Sequence, residues 1–151
     1  MIAQRLESLS IVLPTPFMPA ANYLGCTIDA GVIYVSGHGP IAPGQVITGK
    51  LGRDLDVDQG KAAARMTALS ILATLQSELG DLDKIKQIVK VFGMVNVAPG
   101  FDQMPAVIDG CSDLLVEIFG DAGKHARSAV GVAELPFGIA VEIELIARLQ
   151  P

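Results

Sequence analysis

The run from Val141 to Leu149 fixes its own geometry. Val141, Ile143, Leu145, Ala147 and Leu149 fall on one face of an extended strand, and Glu142, Glu144 and Arg148 on the other. Such a strand belongs in a sheet with one face sealed by a core and the other carrying charge. Arg127–Ala133 reads as the strand before it, across the turn segment Glu134–Gly138. Ile85–Val97 reads as a third, long strand, because Val89, Val91, Val95 and Val97 place β-branched side chains at alternate positions. Tyr23–Ile28 and Val32–Ser36 read as two more, joined by the turn residues Asp29-Ala30-Gly31.

Two segments carry the helical period instead. Asp56 is a good N-cap for a helix from Val57 to Leu79, closed by Gly80. The spacing predicts a buried stripe of Ala62, Met66, Leu69 and Ala73, with Leu72, Leu75 and Leu79 beside it. Met104, Val107, Ile108, Cys111, Leu114, Leu115 and Ile118 recur at steps of three and four, giving a second amphipathic helix that ends at Gly120. Gly37-His38-Gly39-Pro40 breaks the sheet, and Ile41–Gly52 is a loop with a short strand near Val46–Thr48. Met1–Leu9 reads as a short helical or frayed start. Ile11–Ala20 reads as an extended arm, because Pro14, Pro16 and Pro19 each fix their own φ and push the preceding residue out of the helical region. The expectation is an N-terminal arm over residues 1–20 and one α+β domain over residues 21–151, its mixed sheet bearing two helices on one face.

The other face of that sheet needs cover. Hydrophobic residues make up 50% of the 151 and charged residues only 18%, which is apolar for a solitary domain of this size, so further subunits are expected to supply it. The net charge of −5 lacks the basic footprint of a nucleic-acid binder. Two cysteines, Cys26 and Cys111, make neither a disulfide framework nor a metal cage. No apolar run reaches the ~18 residues of a membrane span, and the first ten residues carry no apolar leader, so the expected location is the cytoplasm. No spacing of His, Cys, Asp and Glu fits a metal site, no Ser-His-Asp arrangement is recognisable and no phosphate-binding glycine loop is present, so no cofactor is expected.

Two places could hold chemistry. Arg127 shares a strand face with Ala129 and Gly131, whose small side chains leave room beside the guanidinium. The plainer alternative is that Arg127, Glu142 and Glu144 form cross-strand ion pairs on a solvated face. Ser36-Gly37-His38-Gly39 ends a strand with glycines that let backbone amides approach a ligand, or make a simple tight turn. His38 is a possible acid–base group or an ordinary loop histidine, and His125 lies in a loop read as solvated.

Three blocks resemble the RidA/YjgF family, also labelled endoribonuclease L-PSP-like, and its longer members most. They are YLGCTIDAGVIYVSG from Tyr23 to Gly37, the helix and strand from Ala62 to Phe92, and ARSAVGVAELPFGIAVEIELIA from Ala126 to Ala147. The resemblance implies a chorismate-mutase-like α+β fold and a homotrimer with clefts between subunits. It implies hydrolysis of reactive 2-imino and enamine acids to 2-keto acids and ammonia, as in 2-iminobutanoate/2-iminopropanoate deaminases, without metal or organic cofactor. By position it makes Arg127 the carboxylate-binding arginine, Glu142 the water-handling glutamate, Tyr23 a pocket residue and Gly37 the glycine of a Ser-Gly turn. Three pocket positions depart from the family pattern: His38 stands where many members have glutamine, Ala129 where the deaminases commonly have cysteine, and Asp109 near a frequent asparagine. Ala129 removes a polar pocket wall without removing the arginine or the glutamate, which bears on substrate identity more than on the pocket.

A planar guanidinium fixes a carboxylate by two parallel hydrogen bonds, and a protonated imine carbon then needs only a placed water and a carboxylate to take its proton. The expected partner is therefore a small carboxylate-bearing ligand, with no nucleic acid and no membrane. A non-catalytic trimer that binds small carboxylate metabolites is the alternative reading, and a ribonuclease is the weakest of the three.

Overall fold

The computed structural model describes residues 1–151. In chain order the elements are α1 (Ile2–Ser8), β1 (Cys26–Asp29), β2 (Val32–His38), β3 (Ile41–Ala42), β4 (Gln45–Val46), α2 (Val57–Leu79), β5 (Ile85–Asn96), α3 (Met104–Phe119), β6 (Ala126–Val132) and β7 (Val141–Leu149). Five strands form one mixed sheet in the order β1-β2-β7-β5-β6, and β3 and β4 form a separate two-stranded hairpin. All neighbours in the main sheet are antiparallel except β5 and β6, which run parallel because α3 carries the chain back between them.

Local chemistry accounts for the element boundaries. Asp56 and Gln59 form a reciprocal capping box at the start of α2, satisfying two backbone N–H groups that the first turn leaves free. Ala30 and Gly31, both at positive φ, make the tight turn between β1 and β2. Gly110 marks the closest approach of α2 and α3, since a Cβ there would lie 2.1 Å from the Lys61 carbonyl oxygen. Any side chain at 110 would therefore pry the two helices apart.

Both helices pack on one face of the sheet around a core of 28 buried residues. Val91, Val95, Ile143, Leu145 and Ala147 meet Ile71, Leu72, Leu75, Ile108, Leu114 and Leu115 there. Burying each large aliphatic side chain contributes about 1.5–3 kcal/mol. The sheet's other face is uncovered in the single chain. Tyr34, Phe92 and Ile146 line a shallow cavity of 170 Å³ there, with Lys90 and Glu144 at its edge.

The structure corrects three details of the sequence reading. The sheet does not break at Gly37: β2 continues to His38 through a bulge, in which the register shifts between Val35 and His38. The short strand expected near Val46–Thr48 is Gln45–Val46, paired with Ile41–Ala42. The buried stripe of α2 matches the expected one at Leu72, Ala73, Leu75 and Leu79 and departs from it at Ala62, Met66 and Leu69. Ala64, Ala68, Ile71, Leu72 and Leu75 are buried, whereas Ala62 is exposed and Met66 and Leu69 are partly so. The buried side of α2 mixes alanines with Ile71, Leu72, Leu75 and Leu79, and Met66 and Leu69 line a cavity with Val12 and Pro14 of the arm. Apolar residues thus occupy most of the helix circumference, and periodicity alone could not choose among them.

Candidate functional site

The site residues arrive in two groups, on opposite faces of the sheet. Arg127 pairs in register with Val91, which is fully buried beneath the helices, so the Arg127 side chain also leaves the helix-bearing face. β6 is an edge strand, so the guanidinium emerges at the rim of the core and not inside it. Asp109 and Ser112 are three residues apart on α3 and therefore share a helix face. Both meet the same nitrogen: Arg127 Nη1 donates to Asp109 Oδ1 at 2.7 Å and to Ser112 Oγ at 3.2 Å. Nη2 and Nε of Arg127 make no hydrogen bond within the chain, which leaves one edge of the guanidinium free. Ala129 lies on the same strand face, partly buried against the core beside it.

Two further side chains join this group. His125 Nε2 lies 3.0 Å from Ser112 Oγ, and its Nδ1 lies 2.6 Å from the Gly123 carbonyl oxygen. A carbonyl can only accept, so Nδ1 carries the proton. The bare Nε2 then accepts the Ser112 hydroxyl proton, and the Ser112 oxygen remains free to accept from Arg127. Burial holds the His125 imidazole below its ordinary pKa, with the Arg127 charge acting in the same direction and the Gly123 bond against it. The expected solvated loop at His125 is thus corrected: a backbone carbonyl and a helix hydroxyl anchor the ring.

Glu142 belongs to the second group. It pairs with Met94 and points to the face away from the helices, as does Glu144. Its carboxyl group lies against Gly37, where a Cβ would come within 2.9 Å of Glu142 Cδ and 3.1 Å of Oε2. Glu142 makes no hydrogen bond within the chain. Burial raises its pKa above the ordinary carboxylate value, and the neighbouring Glu144 charge raises it further. The cross-strand ion pairs between Arg127 and the glutamates are absent, because Arg127 and the glutamates stand on different faces.

Tyr23 and His38 complete the account. Tyr23 precedes the opposite edge strand, β1, and is exposed, its ring 6.5 Å from that of Phe17. His38 does not join Glu142 within the chain. It pairs with Ile143 on the helix-bearing side and is only 2% exposed. Its Nδ1–H donates to the Ser36 carbonyl at 2.6 Å, and its Nε2 accepts from the Thr74 hydroxyl at 2.8 Å. The Phe17 ring of the arm stacks edge-on at 5.3 Å. Burial lowers its pKa, against the Ser36 bond. A ring this enclosed holds the arm, β2 and α2 together.

Arg127 and Glu142 are separated by one intervening strand and by the offset from Val91 to Met94, so their backbones lie about 14 Å apart by ordinary strand spacings. With the sheet between their side chains, one chain cannot bring them to a common ligand. None of the five main cavities of the chain includes either residue. No group of three or more His, Cys, Asp and Glu side chains is placed to hold a metal ion, and no helix is long and apolar enough to cross a membrane. Cys111 is fully buried, and burial pushes its thiol up to about 12, so it is no nucleophile at neutral pH.

The sequence reading does not single out Ser112 and sets His125 aside as solvated. Ser112 follows Asp109 by one helical turn, and His125 precedes Arg127 by two residues, which is the strand spacing for a shared face. Those two offsets were the available signal.

Comparison with known proteins gives a consistent result. Residues 3–149 match a family model described as "YjgF/chorismate mutase-like, putative endoribonuclease". The chain is similar to Protein TCP17 of Trypanosoma cruzi, at 43% identity over 98% of this chain and 94% of that protein. It is similar to the crystal structure of Atu1372 from Agrobacterium tumefaciens, a protein of unknown function, at 41% identity and a TM-score of 0.91, covering 99% of this chain and 92% of the other. It is also similar to a crystal structure from Shewanella oneidensis MR-1 that carries the same endoribonuclease description. That match has 34% identity and a TM-score of 0.95, and covers 99% of both chains. From the N-terminal helix to the last strand, this chain is a member of the YjgF/chorismate mutase-like family.

Proposed function

We propose that the protein is a hydrolytic deaminase of reactive 2-imino and enamine acids, working as a homotrimer in clefts between its subunits. Arg127 of one protomer would hold the substrate carboxylate, and Glu142 of a neighbouring protomer would activate water. The observation that carries this reading is the unused edge of Arg127: one guanidinium nitrogen is tied down by Asp109 and Ser112, while Nη2 and Nε remain free to grip a carboxylate. The unpartnered Glu142 carboxylate supports the other half, since partial burial and a like charge raise its proton affinity toward that of a useful base. The uncovered sheet face that bears Glu142 also displays Tyr34, Phe92 and Ile146, an apolar surface suited to a second copy.

In this mechanism the substrate arrives as the protonated imine of a 2-keto acid, with its carboxylate on Arg127. Water adds to the imine carbon and gives a proton to Glu142. The resulting 2-amino-2-hydroxy acid takes that proton on nitrogen, the carbon–nitrogen bond breaks as the hydroxyl proton passes to Glu142, and ammonia and a 2-keto acid leave, Glu142 then returning its proton to solvent. Tyr23 would close the cleft, and Ala129 would leave room for the substrate side chain. Ribonuclease activity fits poorly with a chain holding 11 Lys and Arg against 16 Asp and Glu.

The test generates imino acids in situ with an amino-acid oxidase and measures keto acid formed in competition with semicarbazide. Acceleration by the parent protein and its loss in Arg127→Ala is the expected result. An Arg127→Ala variant as active as the parent overturns the assignment. Acid binding that survives in Glu142→Gln, combined with no turnover by the parent, would identify a non-catalytic binder instead.

A further inference from the structure

We propose that Ser112 and His125 are positioning residues for Arg127, and that they tie carboxylate binding to the uptake of a proton by His125. This rests on Arg127 being the acid-binding group of the reading above. The two residues stand in line behind the guanidinium. Ser112 Oγ lies 3.2 Å from Arg127 Nη1 and 3.0 Å from His125 Nε2, and the Gly123 carbonyl fixes the far side of the ring at 2.6 Å. One hydroxyl is therefore shared between a permanent cation and a titratable ring. Ser112 and Asp109 hold the same guanidinium nitrogen from one helix face, which orients the free edge away from α3.

The proton inventory links the two events. With a neutral ring every contact has one donor and one acceptor: Nδ1–H to Gly123, Ser112 O–H to Nε2, and Arg127 N–H to Ser112 Oγ. Protonation puts a hydrogen on Nε2 that must also point at Ser112 Oγ. The hydroxyl proton must then turn elsewhere, and a second positive charge stands one oxygen atom away from the first. A carboxylate on the free edge of Arg127 offsets that charge, so an occupied site tolerates the imidazolium better than an empty one. By linkage, lower pH must then favour the bound acid.

The other charged groups nearby do not replace this coupling. Asp109 is already bound to Arg127. Lys124, next to the ring in sequence, is paired with Asp121 at 2.8 Å. Asp113, beside Ser112 on α3, is exposed.

The experiment is calorimetric titration of the intact protein with 2-oxobutanoate, an acid ionised throughout the range, from pH 5 to pH 8 in two buffers of different ionisation enthalpy. The parent is expected to take up protons on binding and to bind about tenfold more weakly at the upper end, the equivalent of one pKa unit of coupling. His125→Gln keeps a polar partner for Ser112 but cannot titrate, and should bind independently of pH. Ser112→Ala should weaken binding at every pH. Binding that is lost in Arg127→Ala yet keeps its full pH slope in His125→Gln overturns the relay alone. Absence of binding to the parent at every pH removes both the relay and the reading beneath it.

Discussion

Gly37 and the Glu142 carboxyl group contend for one volume: a Cβ on residue 37 would sit 2.9 Å from Glu142 Cδ. The β2 bulge brings the backbone to that point, and the absence of a side chain there lets the carboxyl group lie down on it. Gly37→Ala must push Glu142 aside by several tenths of an ångström. A misplacement of catalytic groups on the ångström scale costs about a hundredfold in rate. The variant should fold, keep its acid affinity and lose most of its turnover, as read from keto acid formation and direct binding.

Arg127→Ala removes two charge-assisted hydrogen bonds to a carboxylate, each about 1.5–3 kcal/mol. Turnover should fall below detection. The stability cost should stay within about 1 kcal/mol, because the pair it breaks with Asp109 is partly exposed to solvent. Thermal unfolding and the semicarbazide competition assay together separate lost function from lost fold.

Two acidic limits are expected on different observables. The Glu142 pKa is raised, so its base form is lost at a higher pH than for an ordinary glutamate, and kcat/KM should fall as pH drops through that range. His38 acts on stability. Its folded pKa lies below the unfolded value of 6.5, so the unfolded chain binds the extra proton first. Stability is complete above that value and declines as pH falls toward the folded pKa. His38→Gln should flatten that decline in urea titrations at successive pH values without shifting the kinetic limb.

Phe92 and Tyr34 border the cavity on the uncovered sheet face. Phe92→Glu places a charge where a neighbouring copy is expected to pack. Light scattering should show a trimer for the parent and a monomer for the variant, and activity should be lost with assembly although Arg127 and Glu142 are unchanged. A trimer that persists with full activity would move the interface elsewhere.

The strand alternation from Val141 to Leu149, the capping of α2 by Asp56 and the apolar period of α3 are local properties, and they gave the architecture from sequence. What escaped the sequence was set by non-local register. The family resemblance marked Arg127 and Glu142 as site residues, but their opposite facing depends on β5 pairing with both β6 and β7, which no local period encodes. His38 looked like a loop residue because the bulge that carries β2 past Gly37 and turns its ring into the core is a pairing irregularity. The α2 stripe is only partly legible because apolar residues occupy most of the helix circumference, and the packing of the arm, which no local period encodes, decides that Met66 and Leu69 are only half-buried.

The most direct test follows from the two faces of the sheet. Arg127→Ala and Glu142→Gln chains, each inactive alone, are mixed, dissociated and reassembled. In a cyclic trimer with random mixing, about a quarter of the interfaces join an intact Arg127 to an intact Glu142 from the other chain. Recovery of about a quarter of the parent activity is the predicted result. A mixture as inactive as its components would contradict a site built by two protomers.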